Sequence, residues 1–298
     1  MARSADYEHP SNRRFRRLAE SLANSRGIRA FRRALFTRLP FPVLESNVQD
    51  VLYLNWVVPL PLSKADLPPG VSVWERGQST ILTVLIYRHG HFGPVFLGPL
   101  RRLFPSPLQS NWRLYVTRVE GEDPTHSMVL FLRNFFSSAL YAIGTRLGSD
   151  ALPSELPCAF TFQTESELCA NIIGASGELE LQVAGSVGGR PALPHPFQAF
   201  AASWKEAVTA LTLQESAIVQ PPDLTCLAQA GISLPVDIAE VRPVVITHWK
   251  AGNWLTARGA TGEPFAFFVP RVRFRVLWEK LVTSANNSFK GMPLRGTP

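Results

Sequence analysis

From residue 51 onward, apolar side chains recur in short runs that are bounded by proline, glycine and polar residues. The runs alternate with a period of two or are apolar throughout, and they are rich in branched and aromatic residues, which favour strands. The pattern predicts strands over Val51–Val58, Thr80–Tyr87, Trp112–Val119, Met128–Phe136, Ala159–Gln163, Glu178–Ala184, Val241–His248, Phe265–Val269 and Arg271–Trp278. In the last of these, arginines alternate with apolar residues, so we expect one solvated and one buried face.

Helical signals in the same region are strongest in two segments, Ser137–Arg146 and Phe197–Leu211. The order is therefore several strands, one helix, more strands, a second helix and strands again. A parallel sheet would show a regular alternation of strands and helices, which this order lacks. We predict an α+β fold that is predominantly β, with a barrel of antiparallel hairpins and a few helices.

The first forty residues have a different pattern, in which apolar residues recur at steps of three or four with arginines between them. These apolar residues are Phe15, Leu18, Leu22, Ile28, Phe31 and Leu35. The spacing predicts an amphipathic helix that is interrupted near Gly27 and ends at Pro40. Such a helix could pack its apolar stripe on the body and leave its arginines solvated. It could instead bind anionic lipid, or serve as an arginine-rich transit segment, although Asp6, Glu8 and Glu20 count against the last.

The net charge of +7 comes from this N-terminal segment. Residues 1–40 contain ten arginines and three acidic residues, whereas residues 41–298 contain twenty basic and twenty acidic residues. A nucleic-acid-binding protein needs its positive charge on a folded surface, and the predicted barrel has no such excess. We therefore expect no nucleic-acid partner. A content of 46% hydrophobic and 18% charged residues is typical of a chain that forms a core, and it excludes a disordered chain.

The three cysteines, Cys158, Cys169 and Cys226, form no paired motif, so we expect a reducing compartment and cysteines that act as small buried hydrophobic residues. No charge-free stretch reaches the ~18–20 residues of a membrane-spanning helix, and no secretory signal is visible. We expect a soluble cytoplasmic protein, which could be membrane-peripheral through its N-terminal segment. Its parts would be a basic amphipathic arm (1–47), a β-rich barrel domain (48–282) and a mobile tail (283–298).

Unusual polar residues are most frequent between positions 87 and 115. In the strand that includes Trp112, the residues Asn111, Arg113, Tyr115 and Thr117 share one face. A polar row in an otherwise apolar sheet can line the interior of a ligand-binding barrel, or it can face solvent. The spacing alone does not separate these two arrangements.

His89 and His91 are two residues apart, which places both rings on one metal if the strand continues through them. A third ligand would have to come from His126, His195 or His248, none of which lies in a local motif with the pair, and Gly90 favours a turn. We therefore expect no metal. Because the standard hydrolase, phosphate-loop and dinucleotide fingerprints are missing as well, we also expect no cofactor.

Several segments together resemble the YqjF-like family, known as domain of unknown function 2071. They are SNWRLYV at 110–116, YRHGHFGP at 87–94, LYLNWVVP at 52–59, LPPGV at 67–71 and GTRLGSDALPSELP at 144–157. The resemblance covers roughly residues 48–282. That family is similar in fold to the acetoacetate-decarboxylase-like superfamily, in which a β-rich barrel encloses a small-molecule pocket. The resemblance implies such a barrel here, with the row that contains Arg113 facing inward.

Decarboxylases of that superfamily use a lysine that forms a Schiff base with a β-keto acid. The resemblance places the equivalent position near Pro153, where this chain has Ser154-Glu155-Leu156. The lysines of the chain are Lys64, Lys205, Lys250, Lys280 and Lys290, and none lies between residues 65 and 204. We therefore expect no Schiff-base decarboxylation.

The sequence favours a pocket for a small organic acid or carbonyl compound. Arg113 would hold the anion, since its planar guanidinium suits a carboxylate. Asn111, Tyr115, His89 and His91 would orient the ligand, and in an enzyme either histidine would be the general acid or base. The alternative is a non-catalytic module whose polar row is structural and whose arm holds it on an anionic membrane surface or a partner.

Overall fold

The computed structural model describes residues 6–10, 13–36, 39–120, 127–165 and 167–282. Over these residues the chain forms one mixed sheet of fourteen strands with six α-helices. The strands are β1 Leu44–Pro59, β2 Val71–Val73, β3 Glu75–Arg76, β4 Ser79–Arg88, β5 Gly93–Pro94, β6 Leu108–Val119, β7 Met128–Phe136, β8 Ala159–Gln163, β9 Leu168–Ile173, β10 Leu179–Val187, β11 Ser216–Val219, β12 Leu227–Ser233, β13 Arg242–Ala251 and β14 Phe265–Val282. The helices are α1 Arg13–Ala23, α2 Arg26–Phe36, α3 Leu60–Ser63, α4 Ala139–Gly148, α5 Trp204–Thr212 and α6 Asn253–Thr256.

Seven of the nine predicted strands lie within one of these strands, the other two begin one residue early, at Glu178 and Val241, and a predominantly β fold is confirmed. Two of the predictions merge, because β14 continues through Pro270. A proline cannot donate to the ladder and is usually confined to edges or irregularities. The pairing of β1 with β14 skips this position, since Gln49 pairs with Arg271 and Val51 with Val269. Opposite the gap, Asp50 adopts a φ of 57°, so the irregularity in β1 accommodates the proline.

Seven of the strands form a hydrogen-bonded circuit in the order β1, β4, β6, β7, β11, β12 and β14. The circuit returns to its start because β14 also pairs antiparallel with β1, from Leu44 opposite Val276 to Asn55 opposite Phe265. All of its pairings are antiparallel except that of β7 with β11. Strands β13, β10, β9 and β8 extend the sheet from β14.

Strand β4 and the second half of β1 are buried on both faces, which explains their nearly continuous apolar sequences. In β4, Leu82, Val84 and Ile86 belong to one hydrophobic cluster. The alternate residues, Ile81 and Leu85, belong to a second cluster on the opposite face, which also contains side chains of α5. The residues of β4 are therefore packed on both faces of the strand.

The apolar stripe of the two N-terminal helices faces away from the body, and on α2 arginines lie against the body instead. The predicted stripe is exposed, with Leu18 66% and Phe31 70% accessible. On α2, by contrast, Arg29 is only 4% accessible. The suggestion that the stripe packs on the body with solvated arginines is therefore reversed for α2.

Carboxylates of the body explain this orientation. Asp150 accepts hydrogen bonds from Arg32 Nη2 at 2.5 Å and from Arg33 Nε at 2.9 Å. Arg33 Nη1 also donates to Asp223 Oδ2 at 2.8 Å, and Arg32 pairs with Glu279 at 3.3 Å. The bond to Asp150 raises the pKa of Arg33, with burial working in the opposite direction. Part of the positive charge of the N-terminal segment is thus neutralised by the body.

The start of the first strand and the burial of the cysteines differ from what the sequence predicts. Strand β1 begins at Leu44, within the predicted arm, and the predicted tail 283–298 lies outside the described residues. Cys158 is exposed, and Cys169 and Cys226 are half-buried, so the expected burial of the three cysteines is not seen. None of the helices in the described ranges is long and apolar enough to cross a lipid bilayer.

The ion pairs beneath α2 should contribute strongly to stability. The side chain of Asp150 is 3% accessible, so Asp150→Ala removes the acceptor that Arg32 and Arg33 share, leaves them only Glu279 and Asp223, and should lower the free energy of unfolding by up to about 3–5 kcal/mol. Glu240→Ala is the matched control, because its pair with Arg271 is exposed and should contribute ~1 kcal/mol or less. Urea unfolding measures both variants, and equal losses would contradict this account of α2.

Candidate functional site

A cavity of about 420 Å³ lies inside the strand circuit. Each of the seven circuit strands contributes at least one lining residue, from Tyr53 of β1 to Val269 of β14, and α4 adds Leu140. Most of the lining is aliphatic or aromatic. Volumes of ~300–1,000 Å³ with a few polar groups in an apolar wall are typical of small-molecule sites.

The polar side chains deep in the lining come from three neighbouring strands. Strand β6 supplies Gln109, Asn111 and Arg113, because alternate residues of a strand point to one face. Strands β1 and β4 add Tyr53 and Tyr87. Asn111 and Arg113 are predicted from the sequence, whereas Gln109 and the two tyrosines are not. The period of two in β6 could have identified Gln109, whereas the tyrosines required the pairing of β4 with β1 and β6.

Arg113 is the one cation among the lining residues that are described, and it is 3% accessible. Its Nη2 donates to the carbonyl oxygen of Leu211 at 3.0 Å, and its guanidinium carbon lies 5.6 Å and 5.5 Å from the ring centroids of Tyr53 and Tyr115. Its Nε has no hydrogen-bond partner among the described residues, and no described carboxylate forms an ion pair with it. Burial opposes its charge, but Tyr115 and Tyr53 outweigh burial and raise its pKa.

The neighbouring polar groups are neutral. Burial raises the pKa of Tyr53 to about 12, against a smaller opposing effect of Arg113, and it also raises the pKa of Tyr87. The Tyr87 hydroxyl donates to Asn111 Oδ1 at 2.7 Å, and Asn111 Nδ2 donates to Asn134 Oδ1. The amide of Asn111 is therefore already hydrogen-bonded on both sides. Among the described residues, the positive charge of Arg113 therefore has no negative neighbour.

Tyr115 lies behind Arg113 and is not part of the cavity lining. Its hydroxyl donates to the Leu211 carbonyl oxygen at 3.0 Å and is 3.1 Å from Thr83 Oγ1. It thus shares an acceptor with Arg113, and its contact is with the guanidinium rather than with the cavity. Of the predicted ligand-binding residues, the structure brings Arg113 and Asn111 together in the lining and places Tyr115 as a support.

His89 is also outside the lining. Its Nε2 lies 2.5 Å from Gln109 Oε1 and its Nδ1 lies 2.8 Å from Ser46 Oγ, while its ring stacks on Phe92 and Phe136. Burial lowers its pKa to about 4, with the hydrogen bond to Gln109 opposing this change. The His89 ring is thus neutral, hydrogen-bonded at both nitrogens and outside the cavity lining. This position suits a structural group and not the predicted acid or base.

His91 is exposed, with its Nδ1 3.3 Å from the Phe104 carbonyl oxygen, and it too is outside the lining. Its φ of 54° and the preceding Gly90 end the strand. A Cβ at Gly90 would lie 2.5 Å from the Asn47 carbonyl oxygen, so only glycine fits there. The turn sends His89 inward and His91 outward, so the two rings do not share a face. The described residues contain no cluster of three metal-binding side chains, and His126 lies outside them.

The described lining contains no lysine, histidine, cysteine, aspartate or glutamate. Lys64, Lys205, Lys250 and Lys280 are exposed elsewhere, and Lys290 lies outside the described residues. The arrangement can thus donate hydrogen bonds to an anion and surround an apolar group. It offers no described group that titrates near neutral pH.

One end of the cavity is bordered by α4 and by the segment Val95–Leu103. Leu140 is both a lining residue and 65% accessible, which places an opening beside α4. Arg101 of the segment pairs with Glu45 at 2.6 Å, and Arg273 and Arg275 bind the same carboxylate. Although burial acts in the opposite direction, these three guanidinium groups lower the pKa of Glu45 to about 2. Glu45, which the sequence analysis missed, thus holds the border segment on β14.

Neutral His89 gives the stability of the fold a pH dependence of definite sign. Its pKa is about 4 in the folded chain and 6.5 ordinarily, so the unfolded chain takes up a proton first as the pH falls. The stabilisation is therefore complete above pH 6.5 and lost between pH 6.5 and about 4. We expect His89→Gln to remove up to about 3 kcal/mol of this pH-dependent loss, measured by urea unfolding at a series of pH values.

The exposed His91 provides the control for this experiment, because His91→Gln should keep the wild-type pH dependence. Burial also lowers the pKa of His9. Because all three proteins contain His9, its contribution to the pH dependence is the same in each. A wild-type pH dependence in His89→Gln would show that the buried ring does not contribute it.

No protein-family model matches the chain, and no curated protein does either. Solved structures do match. The acetoacetate decarboxylase from Legionella pneumophila has a TM-score of 0.55 at 12% identity, over 82% of this chain and 88% of that one. An acetoacetate decarboxylase-like enzyme from Sphingomonas wittichii has a TM-score of 0.55 at 13% identity, over 83% and 95%.

The enduracididine biosynthesis enzyme MppR, complexed with pyruvate, has a TM-score of 0.54 at 11% identity, over 83% of this chain and 93% of its own. At such identities the likeness is one of fold. The chain therefore has the fold of acetoacetate decarboxylase-like proteins, as the resemblance in sequence implied for the superfamily.

Proposed function

We propose that this domain binds a small organic anion, a carboxylate above all, in the cavity inside the strand circuit. Arg113 would hold the carboxylate and the apolar wall would surround the rest of the molecule. The observation that carries the proposal is the buried guanidinium with a free Nε and no described counter-ion.

The physical reason is the cost of burying a charge. An ion taken out of water without a partner is destabilising by several kcal/mol, so buried charges are nearly always paired. Tyr53, Tyr115 and the Leu211 carbonyl give Arg113 only partial compensation. A carboxylate beside it would supply the missing negative charge and could accept two parallel hydrogen bonds from the planar guanidinium.

The solved structures with this fold support the same class of ligand. MppR was solved with pyruvate and also with the condensation product of pyruvate and imidazole 4-carboxaldehyde. Pyruvate is a small carboxylate with a carbonyl group, which is the ligand class that the sequence favours. Because the identity is 11%, the ligand itself is not carried over to this chain.

We favour binding over Schiff-base or acid–base chemistry. The described lining has no lysine that could form an imine and no group that titrates near neutral pH. His89 and His91, the predicted acid or base, lie outside it.

We also propose that the strand circuit is a closed barrel, that the chain belongs with the YqjF-like family, and that residues 48–282 form its domain.

The alternative is an interaction module that is held on a membrane surface or partner by its N-terminal helices. The exposed apolar stripe of α1 and α2 favours it. The two functions are compatible, since the stripe and the cavity use different residues. A nucleic-acid partner is disfavoured, because the arginines on the inner side of α2 are paired with Asp150, Asp223 and Glu279.

The central test compares a carboxylate with the corresponding alcohol. We expect decanoate, but not decanol at equal concentration, to raise the melting temperature of the full chain and to give a measurable Kd by calorimetry. Arg113→Met should lose at least about tenfold in decanoate affinity, the usual size of a charge-assisted pair. The exposed Arg242→Met is the control and should bind as the wild type does. Equal decanoate affinity in Arg113→Met and wild type would refute the proposed role.

The absence of an imine is tested separately. When the full chain is treated with acetoacetate and borohydride, mass spectrometry should show an unchanged protein mass, because the described lining offers no amine. A lysine adduct would contradict the expected absence of imine formation. The peptide that carries the adduct would identify the lysine.

A further inference from the structure

Exposed apolar side chains are concentrated on a few elements of this chain. Of seventeen large hydrophobic side chains that are exposed in the described residues, eleven lie in α1, in α2, at Leu39, in the segment Val95–Leu103 or at Leu140. A single exposed leucine is ordinary, but a group of this size marks a surface that binds a partner or a membrane.

The outward direction of the helical part is determined by the fold. Six exposed apolar side chains of α1 and α2 form a surface that we call the outer apolar face: Phe15, Leu18, Leu22, Ile28, Phe31 and Leu35. On the inner side of α2, Arg29, Arg32 and Arg33 are bound by carboxylates of the body. Rotating α2 to bury Phe31 and Leu35 would break these ion pairs. The outer apolar face is therefore held toward the surroundings.

Positive charge accompanies this apolar surface. Arg17, Arg26 and Arg102 are exposed, and none of the described acids pairs with them. Apolar helix faces flanked by arginines suit the interface of an anionic bilayer, where the charges reach the headgroups. A second copy of this chain would instead bring like charges together, which disfavours association. The charge pattern thus selects an anionic lipid surface over a homodimer.

The same elements border the opening of the cavity. Phe36, the last residue of α2, is a lining residue, and Leu140 is both lining and exposed. Pro94 and Phe104, which flank the segment Val95–Leu103, line the cavity too. The outer surface is therefore continuous with the entrance of the cavity. A bilayer bound there would face the opening.

We propose that the outer apolar face binds an anionic lipid bilayer and that the cavity takes an amphipathic carboxylate directly from it. The carboxylate reaches Arg113, and the alkyl chain occupies the apolar remainder of the cavity. This inference rests on the proposed function for the role of Arg113. It adds to that function the class of the ligand, an amphipathic carboxylate, and the route by which the ligand enters from the membrane.

Helix α4 offers positions at the cavity opening where a substitution can test the entry route of the ligand. Gly144 and Gly148 are exposed lining residues one helical turn apart, and a Cβ built at either one meets no atom within 4 Å. A large side chain at position 144 therefore has room to stand in the entrance without disturbing the fold. Gly262 offers equal room away from the lining, so Gly262→Trp is a matched control for Gly144→Trp.

The membrane step is tested by sedimentation of the full chain with vesicles of phosphatidylcholine, alone and mixed equally with phosphatidylglycerol. We expect binding to the anionic vesicles only, weakened by added salt. Phe31→Ser/Leu35→Ser should weaken it at least about tenfold, since both side chains contribute apolar area. Leu213→Ser/Val245→Ser, which removes exposed apolar groups elsewhere, should bind as the wild type does.

The uptake step uses the same anionic vesicles loaded with radiolabelled oleate. We expect the wild type, released from the vesicles by salt, to retain oleate. Gly144→Trp should bind vesicles normally but take up oleate at least several-fold more slowly than Gly262→Trp. Arg113→Met should also bind vesicles normally, because its outer apolar face is unchanged. It should retain little oleate, because the group that holds the carboxylate inside the cavity is lost.

The outcomes separate the two proposals. Absent vesicle binding, or equal binding by Phe31→Ser/Leu35→Ser, overturns the membrane inference, as does a wild-type dimer in light scattering that this variant abolishes. Vesicle binding without oleate retention, while hexanoate in solution still binds through Arg113, overturns the ligand class but leaves the proposed function intact. Failure of both acids to bind refutes the proposed function itself.

Discussion

The Arg113 guanidinium stands inside the strand circuit, where an ion without a partner is destabilising by several kcal/mol. Neighbouring groups partly compensate for the buried charge. The rings of Tyr53 and Tyr115 lie within 6 Å of the guanidinium, and the Leu211 carbonyl oxygen accepts a hydrogen bond from its Nη2. The cavity in front of it is otherwise apolar. Among the described residues no carboxylate neutralises this charge, and the proposed anion site rests on that observation.

Ion pairs at the periphery determine what surrounds the opening of that interior. Asp150 and Asp223 bind the arginines of α2, and Glu45 binds Arg101 and two arginines of β14. Because these carboxylates hold the polar sides of the border elements inward, the apolar sides face outward beside the opening. Charge on the body therefore exposes the hydrophobic surface, whereas hydrophobic packing alone would have buried it.

Much of the fold could be predicted from local pattern, since strands buried on both faces have distinctive apolar runs. The short strands β11 and β12 were missed, because four to seven mixed residues carry little periodic signal. The spacing alone could not decide the inward direction of Arg113, since a period of two is the same for an interior and a solvent face; the family resemblance implied it. His89 and His91 could not be separated without the turn at Gly90. The orientation of α2 depends on Asp150, more than a hundred residues away, which no local pattern contains.

The pairing of Arg113 with a carboxylate is tested most directly by carbon-13 NMR of decanoate labelled at its carboxyl carbon and bound to the full chain. An acid beside the buried guanidinium should stay ionised to lower pH than it does in water, so its pKa should fall. The same acid held in an apolar cavity without that partner should show the opposite change, because burial disfavours the charged form. A lowered pKa in the wild type that rises in Arg113→Met would support the account, and a raised pKa in the wild type would contradict it.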